Sequence, residues 1–564
     1  MVAVTSIAGL ATELAEAELE NDPFGASYLG VGGHDDAVPE LSPGARQAWR
    51  ERLVDFVVRC DSLDAGAQDA DGRVLLAAVR DSATRWLAAV DSRVEEFSLT
   101  TMPLGGPSRM LFVMARASVT DPASAAAYLT RCKGVPAFVD RDAQRHREAA
   151  RGGLLPVAPL VADVIAQLRD HLAHPGRDPL LAHRPPAAWD GAAAWRADLE
   201  QVVRDGIRPA LGRYLDFLAE MLPKSRPPER AGLVYVPGGT AAYACCVQDG
   251  TTLAMNPDEI HRVGLTALAE AEERMAELGA RVLGARSAGD VMARMRDDTS
   301  LASDGQEPMA RAAAAIARAE ERLAELFHPP LPSACIVEPM PAHMADSGAP
   351  PMYSPPARDG SRAGAYLFNK VRPGPAGAWA LEAAAFHEGV PGHHAQYARM
   401  QLAPDLPLLL TAFGVVPHSE GWGLYAESLA DESGLYSDGM QRLGMLACVA
   451  WRAVRLVVDT GLHARGWSRA RALEFALTHT PMPEPFMSGE IDRYIAVPGQ
   501  ALGYLIGQRE IVRLRESARA RLGAAYDIRD FHSAVLDRGS LPLPVLSQVV
   551  EEWVASASPA AART

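Results

Sequence analysis

The chain has 564 residues, of which 48% are hydrophobic and 22% charged, and its formal net charge is −15. That balance belongs to a globular chain long enough to bury a large core, and it excludes disordered, collagenous and disulfide-framework compositions. With a pI near 5.5, the surface also argues against nucleic acid, whose phosphates need a basic face.

The N-terminal stretch lacks a basic region and turns acidic at Glu13, Glu16, Glu18 and Glu20, so it does not read as a signal peptide. The most apolar run, Leu154 to Leu168, contains Pro156, Pro159 and Asp163, which is unlike a membrane span. The cysteines (Cys60, Cys132, Cys245, Cys246, Cys335 and Cys448) show no C-x-x-C spacing and are expected to be buried free thiols. A cytoplasmic, reducing location is the expectation.

Most of the chain reads as helix. From Asp190 to Leu222 apolar residues recur at three- and four-residue steps (Trp195, Leu199, Val202, Val203, Ile207). Leu233 to Val236 is a candidate strand. Asn256-Pro257-Asp258-Glu259 is a helix start, with Asn as cap, Pro at the first position and Glu three residues on. That helix should run to about Gly284, and another should span Glu307 to Phe327. Pro- and Gly-rich connectors lie at 223–228, 329–332 and 339–377. The last is long for a structureless loop, so it is expected to carry function; within it, Ala365 to Phe368 is the second candidate strand. Ser468 should cap a helix reaching Leu477, and a final helix should span Pro544 to Val554. The predicted architecture is mainly α, a multi-helix body with a small β-sheet.

Residues 386 to 394 read Phe-His-Glu-Gly-Val-Pro-Gly-His-His after a mostly apolar stretch. The zinc-peptidase pattern H-E-x-x-H puts two histidines on one helix face, with the Glu as general base toward water. Here the fifth residue is Pro391. His393 lies six residues after His387, about 240° round a regular helix, and His394 lies about 10.5 Å along its axis. A site therefore needs a distortion. Pro391 lacks a backbone donor, and Gly389 and Gly392 tolerate unusual torsions, so a bulge bringing His393, or else His394, to the second ligand position is expected. A third ligand is offered downstream, where Glu420 and Glu427 share a helix face seven residues apart. Glu420 is the expected ligand, and Glu427 either supports the ligands or is a surface acid.

These segments resemble a known family. His387-Glu388-Gly389-Val390-Pro391-Gly392-His393-His394 matches the H-E-x-x-P-G-H signature of the domain-of-unknown-function-885 family of bacterial proteins. Glu420-Gly421-Trp422-Gly423-Leu424-Tyr425-Ala426-Glu427 matches its E-G-W-x-x-Y-x-E motif. Further matches run from Asp359-Gly360-Ser361-Arg362 through Arg493-Tyr494 and Pro498-Gly499-Gln500 to Gly539-Ser540-Leu541-Pro542. That family resembles zinc peptidases of the carboxypeptidase Taq and angiotensin-converting-enzyme type. The resemblance implies a gluzincin-like fold with a deep cleft, residues 1–330 forming one side and residues 331–564 the metal-binding region, as one continuous unit. It implies one zinc ion on His387, His393 and Glu420, with Glu388 as base. Leu505 stands where many members carry Lys after the Tyr matching Tyr504.

Charge developing on a carbonyl oxygen needs a donor besides the metal. Tyr494, Tyr504 and His463 are the candidates, each equally readable as a buried structural group. Arg455, Asp459 and His463 stack at helical spacing, either as an ion-pair ladder or with Asp459 orienting His463. Arg362 and Arg493 are candidates to clamp a substrate carboxylate, or to form internal salt bridges. Tyr353, in a Pro-flanked stretch, is a candidate cleft contact or a plain turn residue. The expected function is hydrolysis of short peptides or amides, with no nucleic-acid or membrane partner and a homodimer left open. A specialised enzyme acting on one small metabolite, or a non-catalytic binding protein, are the alternatives.

Overall fold

A computed structural model of the chain describes residues 6–185, 189–297, 307–340, 351–356, 363–370 and 377–557. Helices dominate, and their starts follow local chemistry. The Asn256 side chain accepts from the Glu259 amide at 2.8 Å and opens the helix Pro257–Val282. Ser468 caps Arg469–His479 in the same way, and the last helix covers Leu543–Ala557. The periodic stretch after Asp190 forms Ala192–Val202 and Arg208–Met221, joined by a π-helical turn at Val203–Ile207. The helix expected over 307–327 is shorter, Pro308–Glu320, with a separate turn Leu323–Leu326. None of the described helices is long and apolar enough to cross a membrane.

One expected strand is absent and the other is present. Leu233–Tyr235 is a 3-10 turn, not a strand. Only Leu233 is buried, its amide on His463 at a helix end, while Val234 and Tyr235 are exposed, and the Pro237-Gly238-Gly239 sequence that follows turns the chain at once. The strand expected at Ala365 to Phe368 forms, as part of the expected small sheet. Ile336–Pro339 (β1), Met352–Ser354 (β2) and Ala365–Phe368 (β3) form a sheet in the order β1-β3-β2, parallel on one side of β3 and antiparallel on the other.

The helix Gly439–His463 is buried on nearly every face, as an all-round apolar helix at the centre of a large core must be. It packs along Pro257–Val282, and the core around it draws residues from Val74 to Val554. A second apolar cluster lies among Phe24, Phe138, Val164 and Phe217. The cysteines are all free thiols.

Buried histidines tie distant segments together. His532 contacts the Leu326 carbonyl at 2.8 Å and the Tyr425 hydroxyl at 2.9 Å. His463 accepts from the Leu233 amide at 3.2 Å and contacts the Tyr494 carbonyl at 3.0 Å. Burial pushes both pKa values down to about 3. Unfolded, each titrates near 6.5, so below that pH the unfolded chain binds protons that the folded chain refuses. The stability they leave intact at neutral pH is lost as pH falls from about 6.5 toward about 3, and the pair removes roughly 4 kcal/mol by about pH 5. Thermal melts should show a clear fall in Tm from about pH 7 to about pH 5; a flat Tm across that interval contradicts the assignment.

Candidate metal centre

The apolar stretch before His387 forms the helix Leu381–Glu388, whose Ala383, Ala385 and Phe386 join the main core. His387 and Glu388 are thereby held at its C-terminal end. There the helix stops. Gly389 takes φ −94° and ψ −123°, the Val390–Pro391 peptide is cis, and a new helix runs from His393 to Gln401. The two extra residues are thus absorbed by a break between two helices and not by a bulge inside one. At Gly392 the backbone folds tightly over the preceding turn, since a Cβ there would lie 1.9 Å from the His387 carbonyl oxygen. The Trp422 indole N–H reaches across to the Pro391 and Gly392 carbonyls at 3.0 and 3.1 Å and holds the break in place.

This geometry decides between the adjacent histidines. The His387 and His393 rings meet edge to face with centroids 4.8 Å apart. His394 turns away, with Nδ1 at 3.0 Å from the Tyr353 hydroxyl and Nε2 at 2.9 Å from the Ser333 carbonyl. The helix Val416–Glu432 carries Glu420, Gly423 and Glu427 past the same point. Gly423 leaves the space that the His387 ring fills, because a Cβ there would stand 2.4 Å from His387 Cε1.

Glu420 Oε2 lies 3.3 Å from His387 Nε2 and 3.8 Å from His393 Nε2. One ligand atom from each of these residues falls within 4.8 Å of the others. Ligand atoms around one tetrahedral zinc stand roughly 3.4 Å apart, so the set fits a single ion. The far sides of both rings are occupied in the way such a site needs. His387 Nδ1 contacts Glu427 Oε1 at 2.9 Å, and His393 Nδ1 contacts Gln396 Oε1 at 3.3 Å. With an ion bound, each contact would fix the tautomer that leaves Nε2 as the electron-pair donor. Glu427 is therefore the partner of His387 and not a surface acid.

The charges are mutually supporting. Burial opposes a charge on His387, but hydrogen bonds to Glu420 and Glu427 outweigh it and push the pKa up to about 10. Burial likewise opposes ionisation of Glu420, yet His387 and His393 hold it well below the usual carboxylate range. Glu388 moves the other way: burial raises its pKa against the pull of the two histidines. The Tyr353 backbone N–H donates to Glu388 Oε2 at 2.8 Å, so the β2 strand orients this carboxylate.

His387, Glu388, His393 and Glu420 line a cavity of about 1690 Å³, and Tyr353, Arg493 and Tyr504 lie on its wall. Tyr504 makes no side-chain hydrogen bond among the described residues. Tyr494 and His463 are placed elsewhere. The Tyr494 hydroxyl donates to Glu490 Oε2 at 2.6 Å in a fully buried position, and His463 serves the backbone contacts given above. Asp459 does not orient His463; it accepts from the Tyr243 hydroxyl at 2.6 Å and from the Gly499 amide. The Arg493 fork engages Glu490 through Nε and Nη2 and Gln500 through Nη1, an internal ion pair. The Tyr353 hydroxyl is committed to His394. Arg362 lies outside the described residues. Leu505 is buried in the core. Trp422 and the Glu427–Arg452 contact were not singled out from the sequence, although Trp422 sits inside the E-G-W motif.

The family model described as "Bacterial protein of unknown function (DUF885)" matches residues 23–550. No curated protein matches the sequence. A crystal structure described as a "putative lipoprotein" from Colwellia psychrerythraea is similar over 98% of this chain and 99% of its own, with TM-score 0.88 and 24% identity. A structure described as a "putative lipoprotein of unknown function" from Shewanella oneidensis covers 97% of this chain and 100% of its own, with TM-score 0.74 and 15% identity. These two similarities establish a shared fold.

Proposed function

This chain belongs to the DUF885 family of bacterial proteins, and we propose that it is a zinc-dependent hydrolase of short peptides or amides, with a gluzincin-like fold. The observation that carries the reading is the convergence of His387 Nε2, His393 Nε2 and a Glu420 oxygen beside Glu388 on one cavity wall. The cavity exceeds the roughly 300–1,000 Å³ usual for small-molecule sites, which favours a peptide over a single compact metabolite. The free thiols suit a reducing cytoplasm.

An ion held by His387, His393 and Glu420 supplies a Lewis acid that polarises a carbonyl and acidifies water. The protein's own groups do the rest. Glu388, made more basic by burial and oriented by the Tyr353 amide, accepts the water proton and returns it to the leaving amine. Burial and the neighbouring Glu420 charge push the Tyr504 phenol above its usual pKa, so it stays a donor at neutral pH. Its hydroxyl is the group offered to the charge growing on the carbonyl oxygen.

The test is a joint one of metal and turnover. Purified protein should carry about one zinc per chain and hydrolyse N-acylated di- and tripeptides, with activity lost on chelation and restored by zinc. Protein that binds no zinc on reconstitution, or that binds it and leaves every peptide intact, refutes the reading. Tyr504→Phe should lower kcat by about 10²- to 10³-fold with little change in KM, since it removes a donor that matters in the transition state. An unchanged kcat removes Tyr504 from the mechanism.

A further inference from the structure

We propose that Arg452 and Arg455 form an anion subsite in this cavity, and that the molecule it takes carries a free carboxylate near the bond to be cleaved. The proposal rests on the hydrolase reading for the word "cleaved" but not for the binding it describes.

The helix Gly439–His463 turns Cys448, Trp451, Arg452 and Arg455 to the cavity, the i, i+3, i+4, i+7 spacing of a single helix face. Its neighbour Glu484–Ala496 adds Glu490 and Arg493 to the same wall. Three guanidiniums thus meet two carboxylates, Glu490 and Glu427. Glu490 is claimed twice, by Arg493 through two bonds of 2.9 Å and by Arg455 Nη2 at 3.0 Å. Glu427 already holds His387 and touches Arg452 Nη2 only at 3.5 Å. Among the described residues, the guanidiniums on this wall outnumber by one the carboxylates that contact them.

Arginine cannot shed its proton to relieve that imbalance. Burying such a charge is costly unless it is paired and hydrogen-bonded. The donors record the same deficit: Arg455 Nη1 and Arg452 Nε are buried and make no hydrogen bond. The Arg455 guanidinium carbon lies over both the Trp451 and Tyr504 rings, 4.1 and 4.3 Å from their centroids. Stacking of this kind fixes a planar fork, which suits a carboxylate. The same Tyr504 ring belongs to the proposed oxyanion donor, so the subsite adjoins the reacting carbonyl. A substrate carboxylate would supply the missing counter-charge.

The experiment uses full-length, zinc-loaded protein carrying Glu388→Gln to prevent turnover, and calorimetric titration with N-acetyl dipeptides ending in a free acid or in a carboxamide. The acid should bind at least about 10-fold more tightly than its amide, as expected of a charge-assisted bidentate contact. Arg455→Met should bring the acid to the amide's affinity, and Arg455→Lys should restore part of the preference. Glu490 keeps both bonds to Arg493 in these variants, and the acid–amide comparison in the parent needs no variant at all. Equal affinities, no measurable binding of the acid, or a preference that survives Arg455→Met each overturn the proposal. Failure of the hydrolase reading shows separately, as absence of peptide turnover by zinc-loaded protein with Glu388 intact.

Discussion

Glu388→Gln is expected to lower kcat by about 10²- to 10⁴-fold while zinc content stays near one per chain, because a positioned general base is lost and no ligand is touched. Gln is close to isosteric, and its amide oxygen can still accept from the Tyr353 N–H that now holds Glu388 Oε2 at 2.8 Å. The strand β2 and the cavity wall should therefore stay where they are. What disappears is the proton acceptor, whose basicity burial has raised. The measurement is kcat alongside zinc content by atomic emission. Activity within about 10-fold of the unaltered protein at equal zinc loading would remove Glu388 from the chemistry.

Two neighbouring histidines should behave in opposite ways. His393→Ala takes one of the three proposed ligands, and zinc affinity should fall by more than about 100-fold, beyond what loss of a merely supporting partner costs. His394→Ala should leave zinc stoichiometry unchanged. It deletes contacts to the Tyr353 hydroxyl and the Ser333 carbonyl, so its cost is stability, roughly 2–4 kcal/mol for hydrogen bonds lost with a buried partner left behind. Competition with a chromogenic chelator reads the first quantity and denaturant melts the second. If His394→Ala strips the metal while His393→Ala keeps it, the geometry at the helix break is wrong.

The two motifs told most about the site because their chemistry is local. His387, Glu388 and Glu420 could be placed from spacing and residue type, and the misfit of Pro391 with a regular helix announced a distortion. The form of that distortion was not legible. It depends on Trp422 bonding two carbonyls in the break itself, and nothing in the local sequence records a partner about thirty residues away. For the same reason His463 read as a candidate proton donor. Its helical spacing from Asp459 suggested a pair, whereas long-range packing gave Asp459 to Tyr243 and His463 to backbone atoms. Leu233 to Val236 had strand composition but no strand to join among the described residues. Helix caps such as Asn256 and Ser468 were legible because cap and capped amide are three residues apart. Arg452 stayed hidden on a helix whose periodicity reports only that it is buried, and Arg455 read only as a member of a ladder with Asp459 and His463.

The indole bridge from Trp422 to Pro391 and Gly392 has a consequence for inheritance. It makes the histidine segment and the glutamate segment one mutational unit, although about thirty residues separate them in the chain. A change at Trp422 strands the buried Pro391 carbonyl at the helix break, the Gly392 carbonyl keeping only the Gln396 amide, and a side chain added at Gly423 displaces the His387 ring. Neither segment can drift alone without injuring the other. Descendants of this chain should keep both segments or lose both, and a relative with only one intact is where an altered or abandoned metal site should be sought.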